Sequence, residues 1–103
     1  MKYTVLAYED NFQKYRYPEE RITVGTYDTE QEAKKKCRSI VEGSVKESFR
    51  QLKMLKYTEI TAKSLYSHWD AFGCDPFIES GGFSASQYAS EYCEKLCELL
   101  IAV

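Results

Sequence analysis

Two short segments near the start of the chain, Tyr3–Tyr8 and Ile22–Tyr27, are rich in β-branched and aromatic residues. These residue types are typical of β-strands, so we expect the two segments to form an antiparallel pair. Two strands alone are only marginally stable in water. A third strand, or a sheet shared across a homodimer, would therefore complete the sheet.

The connection between these strands spans residues 10–20 and is much longer than an economical hairpin requires. We predict a loop here. Its side chains alternate between aromatic and basic residues, namely Phe12, Lys14, Tyr15, Arg16 and Tyr17.

A long helix is predicted after the second strand. Thr29 can cap the backbone N–H of Glu32, and Glu32 can reach back to Thr29, as in a capping box. Apolar residues then recur at helical spacing, at Ala33, Cys37, Ile40, Val41, Val45, Phe49 and Leu52. Residues 54–60 show no clear period, and we interpret them as a linker.

A second, shorter helix is expected to begin at Thr61, with an apolar face made of Ala62, Leu65, Tyr66, Trp69 and Phe72. Gly73 is expected to end it in the left-handed conformation. Asp75 and Pro76 then force an extended path, which makes residues 77–79 the predicted third strand.

The last helix has the clearest start. Ser84 is its predicted cap, Gln87 follows three residues later, and Phe83 can pack on Tyr88 as a hydrophobic staple. Its predicted buried stripe is Ala85, Tyr88, Ala89, Tyr92, Leu96, Leu99 and Leu100.

These elements predict a single α+β domain over residues 1–103. We expect a small antiparallel sheet of two or three strands packed against three helices, in the order β-β-α-α-(β)-α. A chain of 103 residues is long enough for one core.

The charge is unevenly distributed although the net charge is only −2. Residues 1–56 hold 12 basic and 9 acidic side chains, whereas residues 57–103 hold 2 and 7. The longest apolar stretch near the start, residues 5–8, is too short for a signal peptide or a membrane span. We therefore expect a cytoplasmic protein without a membrane partner.

The four cysteines are expected to remain thiols in a reducing compartment. Cys37 lies within the apolar stripe of the first helix and is interpreted as a core residue. Cys93 lies at the edge of the stripe of the last helix, and Cys97 falls outside it. If these two converged with Cys74 and His68 they would make a zinc site, so a metal- or thiol-dependent protein is an alternative, although no metal or other cofactor is favoured.

No catalytic residues are predicted. His68 and Asp70 would point about 200° apart on a helix, so Asp70 cannot easily orient His68 as a general base. The chain also lacks a glycine-rich nucleotide loop, a Walker-type phosphate loop and a His-Glu-x-x-His motif. Whether the protein is an enzyme is left open, with a non-enzymatic role favoured.

Nine tyrosines are more than a small core ordinarily contains, so some must reach the surface. One interpretation is that the rings of residues 10–20 fold back over the open face of the sheet. Another is that they bind a partner, with the candidate binding residues being Phe12, Tyr15, Arg16, Tyr17 and Phe77. Weak nucleic-acid binding is a third option, although the acidic pI near 5.4 makes the protein unlike most nucleic-acid binders. Its phosphate contacts would come from Lys14 and Arg16 and from the basic face of the first long helix, Lys35, Arg38, Lys46, Arg50 and Lys53.

Three segments carry a resemblance to a known group: residues 10–12 (Asp-Asn-Phe), residues 25–33 and residues 72–78 (Phe-Gly-Cys-Asp-Pro-Phe-Ile). The chain resembles a group of small uncharacterised bacterial proteins of about this length. The resemblance implies a bacterial cytoplasmic setting and brings no catalytic residues with it.

The favoured hypothesis is thus a non-enzymatic protein–protein interaction module of unknown partner. Its contact surface is expected on the aromatic loop 10–20 and on the segment 72–79.

Overall fold

The computed structural model describes residues 2–55 and 59–101. Three strands form one antiparallel sheet: β1 (Tyr3–Tyr8), β2 (Ile22–Tyr27) and β3 (Asp75–Ile78), in the order β2-β1-β3. The α+β class and the first two strands are as predicted. The third strand is also confirmed, but it begins two residues earlier than expected.

The pairing of β1 with β2 contains a bulge. Tyr3 is opposite Tyr27 and Val5 is opposite Gly25, but Leu6 is opposite Thr23. Val24 is therefore the extra residue, and it increases the local twist of the edge strand.

Four helices accompany the sheet: α1 (Asn11–Arg16), α2 (Glu30–Met54), α3 (Ala62–Phe72) and α4 (Ala85–Ile101). The prediction of a loop over residues 10–20 is wrong, because α1 and a 3-10 turn at Pro18–Glu20 occupy it. Local polar bonds rather than apolar periodicity hold this segment in shape, so it showed no amphipathic pattern. Of the predicted linker 54–60, the structure describes residues 54–55 and 59–60, and residues 56–58 lie outside the described part of the chain.

The predicted helix starts are confirmed by side-chain bonds to backbone N–H groups. Thr29 accepts from Glu32 at 3.1 Å, and Ser84 accepts from Gln87 at 3.3 Å. Thr61 and Ser64 make a reciprocal capping box at the start of α3. These bonds satisfy N–H groups that a helix cannot pair internally.

α2 lies across one face of the sheet and joins two buried clusters. Its first half packs Ala33 and Cys37 against Val5 of β1 and Ile78 of β3. Its second half packs against both α3 and α4, which also contact each other. This cluster contains Val41, Val45, Leu52, Leu65, Trp69, Ala85, Ala89, Cys93 and Cys97.

The buried side of α4 is rotated about the helix axis relative to the predicted stripe. Cys93 and Cys97 are both buried, whereas Leu99 is 58% exposed. Ala85, Ala89, Cys93 and Cys97 recur at intervals of four, and their small side chains allow α4 to pack closely on α2 and α3. The larger residues beside this row then cover the margins of the helix contact.

Gly73 ends α3, but not in the left-handed conformation that was predicted. Its φ is −85° and its ψ is 162°, which is extended backbone open to any residue. The glycine is required by space instead, because a Cβ there would lie 2.7 Å from Nε1 and from the carbonyl oxygen of Trp69.

This close approach predicts opposite effects for two glycine substitutions. Gly73→Ala should lower the free energy of unfolding by about 1–3 kcal/mol, because the core Trp69 would have to shift. Gly43→Ala in α2 should raise it by about 0.5–1 kcal/mol, since nothing lies within 4 Å of its added Cβ. Urea unfolding of both variants checks the pair. Equal effects of the two substitutions would contradict the close packing of Gly73 on Trp69.

Candidate interaction surface

α1 contributes no buried residue, yet polar bonds fix it in place. Oδ1 of Asp10 accepts from the backbone N–H of Gln13 at 2.8 Å and caps the helix. The Gln13 side chain accepts from the N–H of Glu9 at 2.6 Å and donates to the carbonyl of Glu20 at 2.6 Å. Gln13 thus ties together both ends of the segment between β1 and β2.

A salt bridge connects α1 to the third strand. Nζ of Lys14 donates to Oδ2 of Asp75 at 2.8 Å, and this hydrogen bond raises the pKa of Lys14. α1 also contacts α3 and β1. The structure therefore brings together the two segments predicted to bind a partner, residues 10–20 and 72–79.

The aromatic side chains of this segment remain at the surface. Phe12 is 63% exposed, Tyr15 is 75% exposed and Tyr17 is 46% exposed. The interpretation that these rings fold back over the sheet is therefore wrong: α1 holds them at the surface.

Within the segment, Phe12 is the centre of a small cluster. The edge of Tyr17 meets Phe12 at a ring-centroid distance of 6.0 Å, and the guanidinium carbon of Arg16 lies 5.9 Å from the centre of the Phe12 ring. Arg16 is one helical turn after Phe12, which is why the two side chains can stack. The cluster presents two rings and a cation side by side.

Phe77 lies on a neighbouring surface, the face of the sheet opposite α2. On this face its ring stacks on Tyr8 at a centroid distance of 5.4 Å. Leu6 is opposite Phe77 in the register, and Asp75 is opposite Tyr8. Because residues alternate between faces along a strand, Leu6, Tyr8, Asp75 and Phe77 share this face. Asp75 thereby joins the Tyr8–Phe77 stack to Lys14 of α1.

A second apolar area was missed by the sequence analysis. Met54, Leu55 and Phe72 are mostly exposed, and with Gln51 and His68 they line an open groove of about 480 Å³. In the sequence, Met54 and Leu55 form an apolar pair directly after the apolar stripe of α2. This pair was interpreted as part of a linker. The ring of His68 packs on the ring of Phe72, with 5.0 Å between the ring centroids.

The structure does not assemble the proposed zinc set. Among the described residues, no three side chains of the metal-binding kinds lie close enough to hold one ion. Cys93 and Cys97 are part of the core, Cys74 is half-buried, and His68 belongs to the groove with Phe72. Helical phase alone could not show this, because it does not say where α4 faces relative to α3.

The thiols are also poorly suited to nucleophilic chemistry. Burial, with smaller contributions from the charges of Asp75 and Glu9, raises the pKa of Cys74 to about 11. Burial raises the pKa of Cys37 to about 11 and, with smaller contributions from Cys97 and Glu94, that of Cys93 to about 12. A thiol must be deprotonated to attack, so we expect these cysteines to react slowly near neutral pH.

Four of the seven basic side chains predicted to contact phosphates have partners within the protein. Arg50 donates to Glu47 at 2.6 Å, and Lys14 donates to Asp75. Arg16 lies over Phe12, and Lys53 lies over Phe49 at 5.6 Å from the ring centre. On α2 these contacts involve Arg50 and Lys53, and they do not include Lys35, Arg38 and Lys46 of the same face.

Comparison with known proteins gave no match: no protein-family model, curated protein or solved structure is significantly similar to the chain. The resemblance to small bacterial proteins thus stays a prediction. Within residues 2–55 and 59–101, none of the helices combines the length and the apolar character that crossing a membrane requires.

The raised thiol pKa values predict that the thiols of the folded protein react slowly with a disulfide reagent. Near pH 8, about a thousandth of Cys74 should be thiolate, and its reaction rate should rise with pH up to its pKa of about 11. Unfolding in guanidinium should make all four thiols react quickly. Ellman's reagent measures both states, and a Cys74→Ala variant assigns the Cys74 phase. A fast-reacting thiol in the folded protein near pH 7 would contradict the burial argument.

The two bonds of Gln13 predict that it holds α1 in shape. Gln13→Ala should speed amide hydrogen exchange over residues 9–20 and change the free energy of unfolding by only about 0.5 kcal/mol, since no core contact is lost. Gln31→Ala, at an exposed position on α2, is the matched control and should leave the exchange of residues 9–20 unchanged. Equal exchange in both variants would show that Gln13 is not the anchor.

Proposed function

We propose that this protein is a non-enzymatic interaction module that binds a protein partner through the aromatic side chains of α1 and the adjoining residues of segment 72–79. The observation that carries the proposal is that α1 has no buried residue although four side-chain hydrogen bonds hold it in place. Because α1 keeps a defined shape without contributing to the core, we infer that its role is to present side chains at the surface.

Energetics support this use of the three rings. A buried aromatic side chain covers about 150–250 Å². At roughly 25 cal/mol per Å², covering Phe12, Tyr15 and Tyr17 would stabilise a complex by several kcal/mol. Aromatic residues and arginine also dominate the energies of measured interfaces. The cluster of Phe12, Arg16 and Tyr17 combines these residue types.

Preorganisation adds to the same argument. The capped helix and the bonds of Gln13 already restrict the backbone of residues 10–20 in the free protein. A partner then loses less affinity to the ordering of this segment. The surrounding Lys14, Glu19 and Glu20 are exposed and charged, which matches the polar rim that surrounds the apolar centre of many interfaces.

The two alternatives have less support. Buried cysteines with raised pKa values do not favour a thiol-dependent activity, and paired basic side chains do not favour phosphate binding. A nucleic-acid complex would lose affinity steeply with added salt, whereas binding through aromatic rings would depend on salt only weakly.

The proposal predicts that Phe12→Ala, Tyr15→Ala and Tyr17→Ala together weaken partner binding at least about 100-fold without unfolding the protein, because none of the three is buried. Partners are identified by cross-linking and affinity capture from the native cytoplasm and are then titrated against the purified variants. Circular dichroism and urea unfolding check the fold.

Leu99→Ala is the matched control, because Leu99 is a comparably exposed apolar residue on α4. A partner whose affinity falls with the triple variant and persists with the control supports the proposal. If no captured protein distinguishes the two variants, α1 is not the contact surface.

A further inference from the structure

The two edges of the sheet differ in how well they are protected against pairing with another strand. β3 is short, and Pro76 has no N–H group to donate. The carbonyl of Ile78 already accepts from Gly81 at 2.8 Å, and Lys14 covers the charged Asp75. These are devices by which natural proteins block an edge strand.

β2 has few of these devices. Its six residues, Ile-Thr-Val-Gly-Thr-Tyr, include no charge and no proline, and Ile22 is 45% exposed. Residues with β-branched and aromatic side chains favour strand pairing. The bulge at Val24 interrupts the edge but leaves the stretch from Gly25 to Tyr27 in regular register with β1.

The register shows which backbone groups of β2 face outward. Glu79 donates its N–H to the carbonyl of Thr4 at 2.9 Å, so the polar groups of Thr4 point toward β3. Thr26 is opposite Thr4 in the pairing of β2 with β1. Because the polar groups of Thr4 point away from β2, Thr4 and Thr26 are a pair without mutual backbone hydrogen bonds. The N–H and C=O of Thr26 therefore point away from β1, at the free edge.

We propose that this edge pairs with the same edge of a second copy, so that β2 and its symmetry mate form one continuous antiparallel sheet around a two-fold axis near Thr26. Around such an axis Thr26 of each copy donates its N–H to the C=O of Thr26 in the other. Both outward groups are thereby satisfied at once.

The flank of α2 beside this edge argues for a second copy rather than an unrelated peptide. Tyr27 of β2 and the exposed residues Glu32, Lys35, Lys36 and Ser39 of α2 line one shallow groove. A two-fold axis near Thr26 passes beside this groove and makes the two α2 helices antiparallel. Glu32 of each copy then faces Lys36 of the other, giving two pairs of unlike charge.

Neither Glu32 nor Lys36 takes part in the salt bridges found among the described residues. A peptide of one charge sign would meet like charge at either Glu32 or Lys36. A second copy is complementary at both positions, which is why the flank favours self-association.

The backbone part of the proposal is tested by Thr26→Pro against Thr26→Ala, using sedimentation velocity across a concentration series. Proline removes the outward N–H and no bond to β1, whereas alanine keeps the N–H. We expect a concentration-dependent dimer for the wild type and for Thr26→Ala, and a monomer for Thr26→Pro. A wild type that stays monomeric at every concentration, or a Thr26→Pro dimer as strong as the wild type, overturns the proposal.

The charge part supplies a second test that does not depend on proline being tolerated. Glu32→Lys alone and Lys36→Glu alone should each weaken the dimer by about tenfold, because each places like charges opposite one another. Mixing the two variants should restore wild-type affinity in the mixed dimer, since both pairs become unlike again. Mixed dimers no stronger than either parent would overturn the two-fold arrangement.

Pairing through β2 does not rest on the function proposed for α1. The triple alanine variant of Phe12, Tyr15 and Tyr17 should dimerise like the wild type, and Thr26→Pro should keep its binding of the α1 partner. The two ideas therefore fail separately.

Discussion

The burial of one side of α2 is the contact on which the rest of the structure depends. Ala33 and Cys37 at its start close the cluster with Val5 and Ile78 of the sheet, while Val41, Val45 and Leu52 fill the cluster with α3 and α4. A three-stranded sheet and two shorter helices could not each bury their apolar faces alone. One 25-residue helix supplies the common surface for both.

Because α2 covers one face of the sheet and carries α3 and α4 beside it, the β2 edge remains accessible, and Tyr8 and Phe77 on the other face are only partly buried. α1 lies at the end of this arrangement, attached by Lys14 to Asp75 and shaped by Gln13. In the proposed interaction module, stability and binding therefore depend on different parts of the chain. Residues of α1 can change to suit a partner at little cost to the core, since none of them is buried.

The sheet edges show a similar division. Pro76 and the turn to Gly81 close the β3 edge, whereas the backbone of Thr26 leaves the β2 edge able to pair. Glu32 and Lys36 lie beside that edge on α2. A single helix thereby provides the core contact with its inner side and, in the proposed dimer, the charge pattern of the contact with one flank.

The sequence by itself determined the features that depend on neighbouring residues. The caps at Thr29, Thr61 and Ser84 are local bonds, and the apolar stripe of α2 follows helical periodicity, so these elements and the α+β class were predictable. The same holds for the two main strands, whose residue types favour extended backbone.

Only the tertiary structure decided how those elements face one another. The packing of α4 on both α2 and α3 placed Cys97 in the core and left Leu99 exposed, and the ring of Trp69 explains why Gly73 is a glycine. α1 was hidden from sequence reasoning because Gln13 shapes it through bonds to Glu9 and Glu20, not through an apolar stripe. Periodicity indicates the apolar side of a helix, but the packing partners determine its exact orientation and what the remaining surface presents.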